Sequence, residues 1–405
     1  MIELCRKTLE HPRLPLFAAA LAALLASSSL ENGFMLDDYF HRSIMLRSDV
    51  LGDSLGGPQE MFRFLPGDPE QTHQAIDSGF LPWWTYPGIK AEFLQFLTVQ
   101  THVLDYALWP DSPRLMHLHS LAWLAALTLV VGLLYRRVLG PTWVAGLAIL
   151  LFAVEDAHAV PAGWICNRNV LLAATFGVSC ILAHDSWARR RKPAWYLAAL
   201  VLWTASLCSK EAGIATSAFV FAYVVWLQED SWRGKLFSLV PYGLVLVAWR
   251  IIRDSLGYGV DGIGLYIDPL GDPWRFAAAM VDRAPPLLAG QWAFPPADIF
   301  AILPPALSTP VWWWTVILLA ILAGLFWPLL RTDRTARFFA SAMLLSVIPI
   351  CAAFPSNRLL TFTGIAALGL TARFVEFAFS REESGRFGAW FKKGSGTVVR
   401  STLRA

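Results

Sequence analysis

Charged residues are scarce in this chain of 405 residues. Only 16% are Asp, Glu, Lys or Arg, whereas 56% are hydrophobic; soluble domains contain about 25% charged residues. The apolar surplus is concentrated in long runs, which excludes an ordinary soluble domain. The net charge of +3 is too small to predict a nucleic acid as partner.

Cysteine is scarce as well, and internal repeats are not visible. The five cysteines, at positions 5, 166, 180, 208 and 351, have no pair spacing. Neither a disulfide framework nor a cysteine metal cage is therefore predicted. What remains is a polytopic membrane protein built from α-helices, and this is the predicted fold class.

Ten apolar runs are candidates for transmembrane helices. A helix needs about 20 apolar residues to cross the hydrocarbon core of a bilayer, so the shorter runs must extend into flanking polar residues. The first run ends in small residues, LLASSS, and a cleaved signal peptide is the alternative there. The ten runs are 14–30, 117–135, 143–158, 169–184, 194–208, 211–228, 236–252, 311–330, 336–354 and 358–379.

The distribution of basic residues predicts the orientation. With the N-terminus inside, 20 of the 33 lysines and arginines fall in inside segments and 11 in the much longer outside segments, while Arg250 and Arg373 lie within spans. Basic residues accumulate in cytoplasmic loops. Both termini are therefore predicted to be cytoplasmic, in a bacterial inner membrane or, for a eukaryotic chain, in the membrane of the endoplasmic reticulum.

The predicted organisation is a transmembrane domain over residues 1–380 and a basic cytoplasmic tail over 381–405. Two large segments, 31–116 and 253–310, lie outside. The first contains a predicted amphipathic helix near 90–108. The second contains an apolar stretch at 276–293, interrupted by charges and two prolines, which predicts an interfacial or re-entrant helix.

Ionisable residues from six separate segments converge on the outer ends of the predicted spans, while the middle of the membrane is left almost free of charge. Ionised groups near a bilayer are costly and usually mark a function. The stretch FMLDDYFHR, residues 34–42, carries two adjacent carboxylates. The convergent residues are Asp37, Asp38, Glu155, Asp156, His158, Asn167, Arg168, Asn169, Lys210, Glu211, Arg250, Arg253 and Arg358.

Such a set would suit a lipid-phosphate substrate. Arg and Lys bind phosphate, carboxylates accept a proton from an attacking hydroxyl, and apolar helix faces would hold a lipid tail. The alternatives are structural: snorkelling or ion-paired bases, helix capping by the two aspartates, and hydrogen-bonded histidines at His117 and His119. Asp37, Asp38, Glu155, Asp156 and His158 offer ligands that suit magnesium or manganese, but their spacing does not define a metal site.

Four ordered motifs between residues 34 and 364 carry a family resemblance. The first is the acidic pair Asp37–Asp38, which is followed by His117 at the start of the second span. The others are FAVEDAHAVPAGWICNRNVLL (152–172), LCSKEAG (207–213) and NRLLTFTG (357–364). With these motifs the chain resembles the GT-C clan of integral-membrane glycosyltransferases, and within it the branch of the tetratricopeptide-containing O-mannosyltransferases. No tetratricopeptide repeats follow the last span.

The resemblance implies a function and roles for site residues. Enzymes of this clan transfer sugars from polyprenyl-phosphate donors, so the expected reaction is transfer to an acceptor hydroxyl on a protein, glycan or lipid. Asp38 is the first choice for the catalytic residue and Asp37 the second. Arg168, Lys210, Arg358 and Arg253 are expected near the donor phosphate. The expected cavity residues are His158, His117, Glu211, Asp156, Glu155 and Trp164. No cofactor is predicted beyond a divalent cation, Mg or Mn.

Two other functions are compatible with the sequence. A transporter or lipid flippase would have broken helices, polar groups near mid-membrane and repeats, whereas the charges here lie at one end of the spans. A non-catalytic protein of envelope assembly would differ from the enzyme only in activity.

Overall fold

The structure, a computed structural model, describes residues 2–46, 56–292 and 295–383. Within these ranges the chain forms α1 (Ile2–Glu10), α2 (Leu14–Leu25), α3 (Asp37–Leu46), α4 (Pro69–Asp77), α5 (Phe96–Leu108), α6 (Pro113–Leu139), α7 (Trp143–Ala153), α8 (Ala159–Gly163), α9 (Asn169–Arg190), α10 (Pro193–Ser209), α11 (Ala215–Trp226), α12 (Trp232–Ser255), α13 (Pro273–Gly290), α14 (Pro305–Thr332), α15 (Arg334–Ile350) and α16 (Thr361–Glu383).

Long apolar helices dominate the described part of the chain, as expected for a membrane-embedded, all-α protein. Every one of the ten predicted spans contains a helix, although several runs extend past the end of that helix. By length and composition, six helical segments could cross a membrane, and a seventh if α7 and the segment Asp156–Gly163, which is bent from it by 45°, form one span. The six are Leu14–Glu31, Pro113–Leu139, Ile165–Arg190, Trp232–Ser255, Pro305–Thr332 and Thr361–Phe379.

The other three predicted spans correspond to α10, α11 and α15. These helices have 17, 12 and 17 residues, so none exceeds about 26 Å at 1.5 Å per residue, against a hydrocarbon core of about 30 Å. By length and composition, six or seven of the ten predicted spans are therefore supported.

A small antiparallel sheet joins the two large segments that the sequence places outside. Strand β1 (Arg63–Pro66) pairs with β2 (Lys90–Glu92), and β2 pairs with β3 (Gly259–Asp261). The helix predicted near 90–108 is therefore wrong at its start: residues 90–92 are strand, and α5 begins at Phe96. Pairing with both neighbouring strands provides the backbone hydrogen bonds of this stretch, which local helical periodicity cannot anticipate.

The stretch predicted as an interfacial or re-entrant helix, 276–293, is helical as α13, and Pro285 and Pro286 lie inside that helix. Residue 293 lies outside the described ranges. Of the predicted tail, 381–405, the structure describes only the last three residues of α16.

Helix α9 is the centre of the apolar core. It packs against α6, α10 and α11, and Leu171 and Val178 on α9 are fully buried together with Phe152 of α7 and Phe219 of α11. The 3-10 turn Ile165–Arg168 leads directly into α9. The turn thus lies at the start of a helix that is packed on several sides.

A second short 3-10 turn, Glu211–Ile214, connects α10 to α11. Gly213 lies so close to α10 that a Cβ atom on it would be 2.5 Å from the carbonyl oxygen of Ser206. A side chain does not fit at that distance, so glycine permits the tight return of the chain. The turn places Lys210 and Glu211 at the end of α10.

Candidate functional site

A cavity of about 700 Å³ lies where the turns before α9 and α11 meet the sheet and the ends of α12 and α15. Segments far apart in sequence contribute polar side chains to its wall, and helices α12, α13 and α15 contribute apolar ones. The polar and charged residues of the wall are Asp37, Gln95, Asn167, Asn169, Lys210, Glu211, Arg250, Arg253, Tyr266, Asp268 and Arg358.

Lys210 lies in this wall with neutral partners. Its Nζ donates hydrogen bonds to Oδ1 of Asn169, at 2.8 Å, and to Oδ1 of Asn167, at 3.1 Å. Desolvation in the cavity wall, together with the nearby charge of Arg358, lowers the pKa of Lys210 to about 8. The amide Nδ2 of Asn167 is buried and has no hydrogen-bond partner among the described residues, so a donor remains for a ligand beside the ammonium group.

Arg358 is the second cation of the cavity. Its guanidinium lies over the rings of Trp164, at 5.3 Å, and Phe354, at 5.4 Å, and such contacts orient a guanidinium without neutralising it. Within the described ranges, neither Arg358 nor Lys210 has a carboxylate within the 4.0 Å of an ion pair. Two neighbouring cations without an ion-paired carboxylate make this part of the wall a candidate site for an anion.

The turn that carries Arg358, Asn357–Leu359, is anchored by its neighbours. Asn357 donates its backbone N–H to Asp298, at 3.0 Å, and its side-chain amide to Asp156, at 3.3 Å. Ser356 donates to the same Asp298 at 2.5 Å. Asp156 thus supports the turn from outside the cavity.

Two further arginines line the cavity but are already paired. Arg250 binds both carboxylate oxygens of Asp268, at 3.0 and 2.9 Å, and Arg253 lies 3.1 Å from Asp254 and 3.8 Å from Asp268. Burial alone would raise the pKa of Asp268, but the hydrogen bonds and charge of Arg250 outweigh it, and the pKa is lowered. Arg253 was predicted as a phosphate ligand. Because carboxylates lie beside its guanidinium, it is less available to bind an anion than Lys210 or Arg358.

The two adjacent aspartates have different surroundings. Asp38 is 2% exposed, and its two oxygens accept hydrogen bonds from the backbone N–H of Met35, at 3.0 Å, and of Cys166, at 2.7 Å. Burial raises its pKa to about 6, against the lowering effect of these bonds. Asp38 thus joins the start of α3 to the turn before α9.

Asp37, in contrast, lies in the cavity wall. Burial raises its pKa, and the charge of Arg358 opposes this rise. A partly desolvated carboxylate beside a cation site is a reasonable proton acceptor. Of the two aspartates, Asp37 is the one that lines the cavity.

Arg168 does not line the cavity. Its side chain is 0% exposed and forms an ion pair of 2.6 Å with Asp105, which is also fully buried. Asp105 had no predicted role, because an isolated acidic residue in a predicted amphipathic helix carries no functional signal.

The remaining predicted residues divide between the cavity wall and the surrounding core. Glu211 and Trp164 line the cavity, and Glu211 also accepts a hydrogen bond from the backbone N–H of Leu94. His117 is bonded to the carbonyl oxygen of Gly33 and His158 to that of Phe152, and Glu155 is not part of the wall. The cavity thus brings together Asp37, Lys210, Arg358, Arg253, Glu211 and Trp164, but not Asp38, Arg168, His117, His158, Glu155 or Asp156.

The sequence did not single out Gln95, Tyr266 or Asp268 as members of the site. Tyr266 and Asp268 belong to the segment 253–310, which is rich in Gly, Pro and Asp. Nothing in the sequence distinguishes them from the other polar residues of that segment. A bridge between Tyr266 and Ala353 brings this loop to the cavity, and no pattern within the segment predicts that pairing.

The five residues considered for a metal site do not fit one. Asp38 is engaged by backbone N–H groups, His158 by a carbonyl oxygen, and Asp156 by Asn357, while Asp37 lies in the cavity. Among the described residues, no group of three or more His, Cys, Asp or Glu is arranged to hold a metal ion. A divalent cation stays a prediction from the sequence, without a site.

Comparison with known proteins does not assign the chain to a family, since no family model, curated protein or solved structure matches it.

Proposed function

We propose that this protein is a glycosyltransferase of the GT-C type, which moves a sugar from a polyprenyl-phosphate donor to an acceptor hydroxyl. The observation that carries the proposal is the pair Lys210 and Arg358 in one cavity wall, with no carboxylate partner among the described residues. Asp37 in the same wall supplies the carboxylate that such a transfer needs. The resemblance of the ordered sequence motifs supports the same reaction.

The proposed reaction is a single displacement. The acceptor oxygen forms a bond to the anomeric carbon of the sugar as the bond between that carbon and the phosphate oxygen breaks. Asp37 takes the proton of the acceptor hydroxyl, and the polyprenyl phosphate leaves with the bonding electron pair. One such displacement inverts the configuration at the anomeric carbon.

The cations act on the leaving group. Negative charge grows on the phosphate as the bond breaks, and fixed positive charge in a desolvated site stabilises it. Lys210 and Arg358 supply that charge, and Nδ2 of Asn167 supplies a hydrogen bond. The apolar wall formed by residues of α12, α13 and α15 suits the lipid chain of the donor.

The same proposal includes the finer features predicted from the sequence. These are ten spans, two outer segments that face the periplasm or the lumen, cytoplasmic termini, and an acceptor that approaches from the outer side. α10, α11 and α15 would then complete the bundle as short elements whose flanking residues reach the interfaces.

Lipid binding by the purified protein tests the donor site. Undecaprenyl phosphate and undecaprenol share a tail, so native mass spectrometry of both isolates the contribution of the phosphate. We expect the phosphate lipid to bind more tightly, and Lys210→Ala and Arg358→Ala to reduce that preference. Lys192→Ala and Arg114→Ala are matched controls, because Lys192 is exposed and the side chain of Arg114 is 70% exposed.

Two results would contradict the proposal. One is equal binding of the two lipids; the other is an unchanged preference in both cavity variants. Sugar transfer from radiolabelled undecaprenyl-phosphate sugars to an added acceptor then separates an enzyme from a lipid transporter, since a transporter binds the lipid but releases it intact.

A further inference from the structure

The turn Ile165–Arg168 reaches both halves of the proposed site. The backbone N–H of Cys166 binds Asp38, the neighbour of the proposed base, at 2.7 Å. Asn167 and Asn169, at the end of the turn and the start of α9, hold the ammonium group of Lys210. A shift of this single turn would therefore move the acidic pair and the phosphate cation together.

The turn has little local support. It is a 3-10 turn of four residues whose N-cap, Trp164, makes no capping hydrogen bond with its side chain. It follows α8, a helix of only five residues. Hydrogen-bond geometry in 3-10 turns is poorer than in α-helices. The position of the turn must therefore come from tertiary contacts.

Arg168 makes those contacts. Its Nε donates to Oγ of Ser120 at 2.9 Å, and one terminal nitrogen donates to the carbonyl oxygen of Met116 at 2.7 Å. The other terminal nitrogen lies 2.6 Å from Asp105. Met116 and Ser120 belong to α6 and Asp105 to α5, so the guanidinium ties the turn to two helices.

Asp105 is held in turn by His119. Trp123 donates its indole N–H to Nε2 of His119, at 3.1 Å, so Nδ1 carries the proton of the neutral ring. Nδ1 lies 2.6 Å from Asp105, to which it donates in this tautomer, and 3.0 Å from a terminal nitrogen of Arg168. The carboxylate is thus oriented toward Arg168 by a chain of residues that do not line the cavity.

Arg168 is consequently not placed to bind a substrate. All three of its nitrogens have partners within the protein, and its side chain has no exposed surface. An arginine that binds phosphate needs donors free to face it.

We propose that Arg168 is a positioning residue, which with Asp105 fixes the turn Ile165–Arg168 and so sets the places of Asp37, Asp38 and Lys210. The expected effect on transfer rests on the proposed function. The expected effect on the position of Lys210 does not. Small displacements of catalytic groups cost about 100-fold in rate, so loss of the pair is expected to reduce transfer by about that factor.

A neutral replacement of both residues removes the contacts of the pair without leaving a buried charge unpaired. Arg168→Met alone leaves Asp105 buried without its cation, which destabilises proteins strongly, whereas replacing both partners of a buried pair is often tolerated. In the double variant Arg168→Met with Asp105→Asn, Met fills the space of the arginine stem, and Asn still accepts from His119. We expect the double variant to fold but to lose transfer by about 100-fold, because neither residue then ties the turn to α5 and α6.

A second measurement does not depend on transfer. Acetic anhydride reacts with unprotonated lysine, and peptide mass spectrometry gives the acetylated fraction of Lys210 relative to the exposed Lys192. We expect the double variant to change the relative reactivity of Lys210 severalfold, because the asparagines that hold its ammonium group move with the turn. Arg114→Met, a surface arginine near the start of α6, serves as the control and should leave both readouts unchanged.

The outcomes distinguish this inference from the proposed function. Unchanged Lys210 reactivity in the folded double variant overturns the positioning role even if the protein transfers sugar. Full transfer by the double variant also overturns it, because the turn would then hold its position without the pair. If the double variant does not fold, Ser120→Ala, which removes one hydrogen-bonding partner of Arg168, is measured by the same two readouts. If no form transfers sugar but Lys210 follows the expected pattern, the proposed function fails and the positioning role stands.

Discussion

Oδ1 of Asp38 accepts a hydrogen bond of 2.7 Å from the backbone N–H of Cys166, which links the start of α3 to the turn before α9. This bond gives two adjacent aspartates different roles. Asp38 is a structural acceptor, while Asp37 beside it lies in the cavity wall.

Replacement of the two aspartates by asparagine should therefore have different effects. Asp37→Asn keeps the size of the side chain but removes its basicity, so transfer should fall by about 10²–10⁴-fold with normal expression. Asp38→Asn leaves one acceptor oxygen, so it should lower thermal stability more than it lowers transfer. Melting curves and transfer assays of both variants test this prediction. Full activity of both variants would contradict the proposed mechanism.

Binding of the donor phosphate should depend on pH through Lys210. The pKa of Lys210 is lowered to about 8, so in the lipid-free protein its ammonium group loses its charge as the pH rises through that value. The affinity for undecaprenyl phosphate is expected to be about tenfold lower at pH 9 than at pH 7. The phosphate itself is already doubly charged above its second pKa of about 6.

The control for this dependence is Lys210→Arg, which stays charged across the range. This variant should show a flat affinity between pH 7 and pH 9, even if its geometry weakens binding. A wild-type profile as flat as that of the variant would show that Lys210 does not contact the phosphate.

Asp268 should contribute to stability through Arg250. Asp268→Asn removes a bidentate, partly buried ion pair, so the free energy of unfolding should fall by about 1.5–3 kcal/mol. Because the folded-state pKa of Asp268 is lowered from 3.8, the contribution is present above that value and is lost as the pH falls through the folded pKa. Thermal melting at neutral and acidic pH should therefore show a difference that shrinks in acid.

Glu31→Gln is a suitable control for this measurement, since the side chain of Glu31 is 77% exposed and lies 3.8 Å from Arg114. It should shift the melting temperature little at any pH. An Asp268→Asn shift no larger than that of the control would mean that the pair does not hold the loop.

The predicted orientation can be tested by thiol labelling. Ser54→Cys and Ser395→Cys fall outside the described ranges and inside predicted outer and cytoplasmic segments, respectively. An impermeant thiol reagent applied to sealed cells should label position 54 and leave position 395 unlabelled until the cells are opened. The reverse pattern would invert the topology and move the proposed site to the cytoplasmic side.

Helix positions were predictable because a long apolar run is a local property. All ten predicted runs contain a helix. An apolar run does not reveal whether its helix is long enough to cross a bilayer alone. α10, α11 and α15 are too short to do so. Strand β2 was missed because its pairing partners lie in β1 and β3, one of which is far away in sequence. Local periodicity contains no information about such partners.

The sequence by itself determined an all-α, membrane-embedded chain and a set of ionisable residues at helix ends, because composition and spacing limit where charge is tolerated. Only the tertiary structure decided which of these residues share a cavity. Lys210, Arg358 and Asp37 do, whereas Arg168 turns toward Asp105 and Asp38 toward Cys166. The direction of a side chain at a helix end depends on which distant segments pack around it, and in this protein those partners are separated by dozens to hundreds of residues.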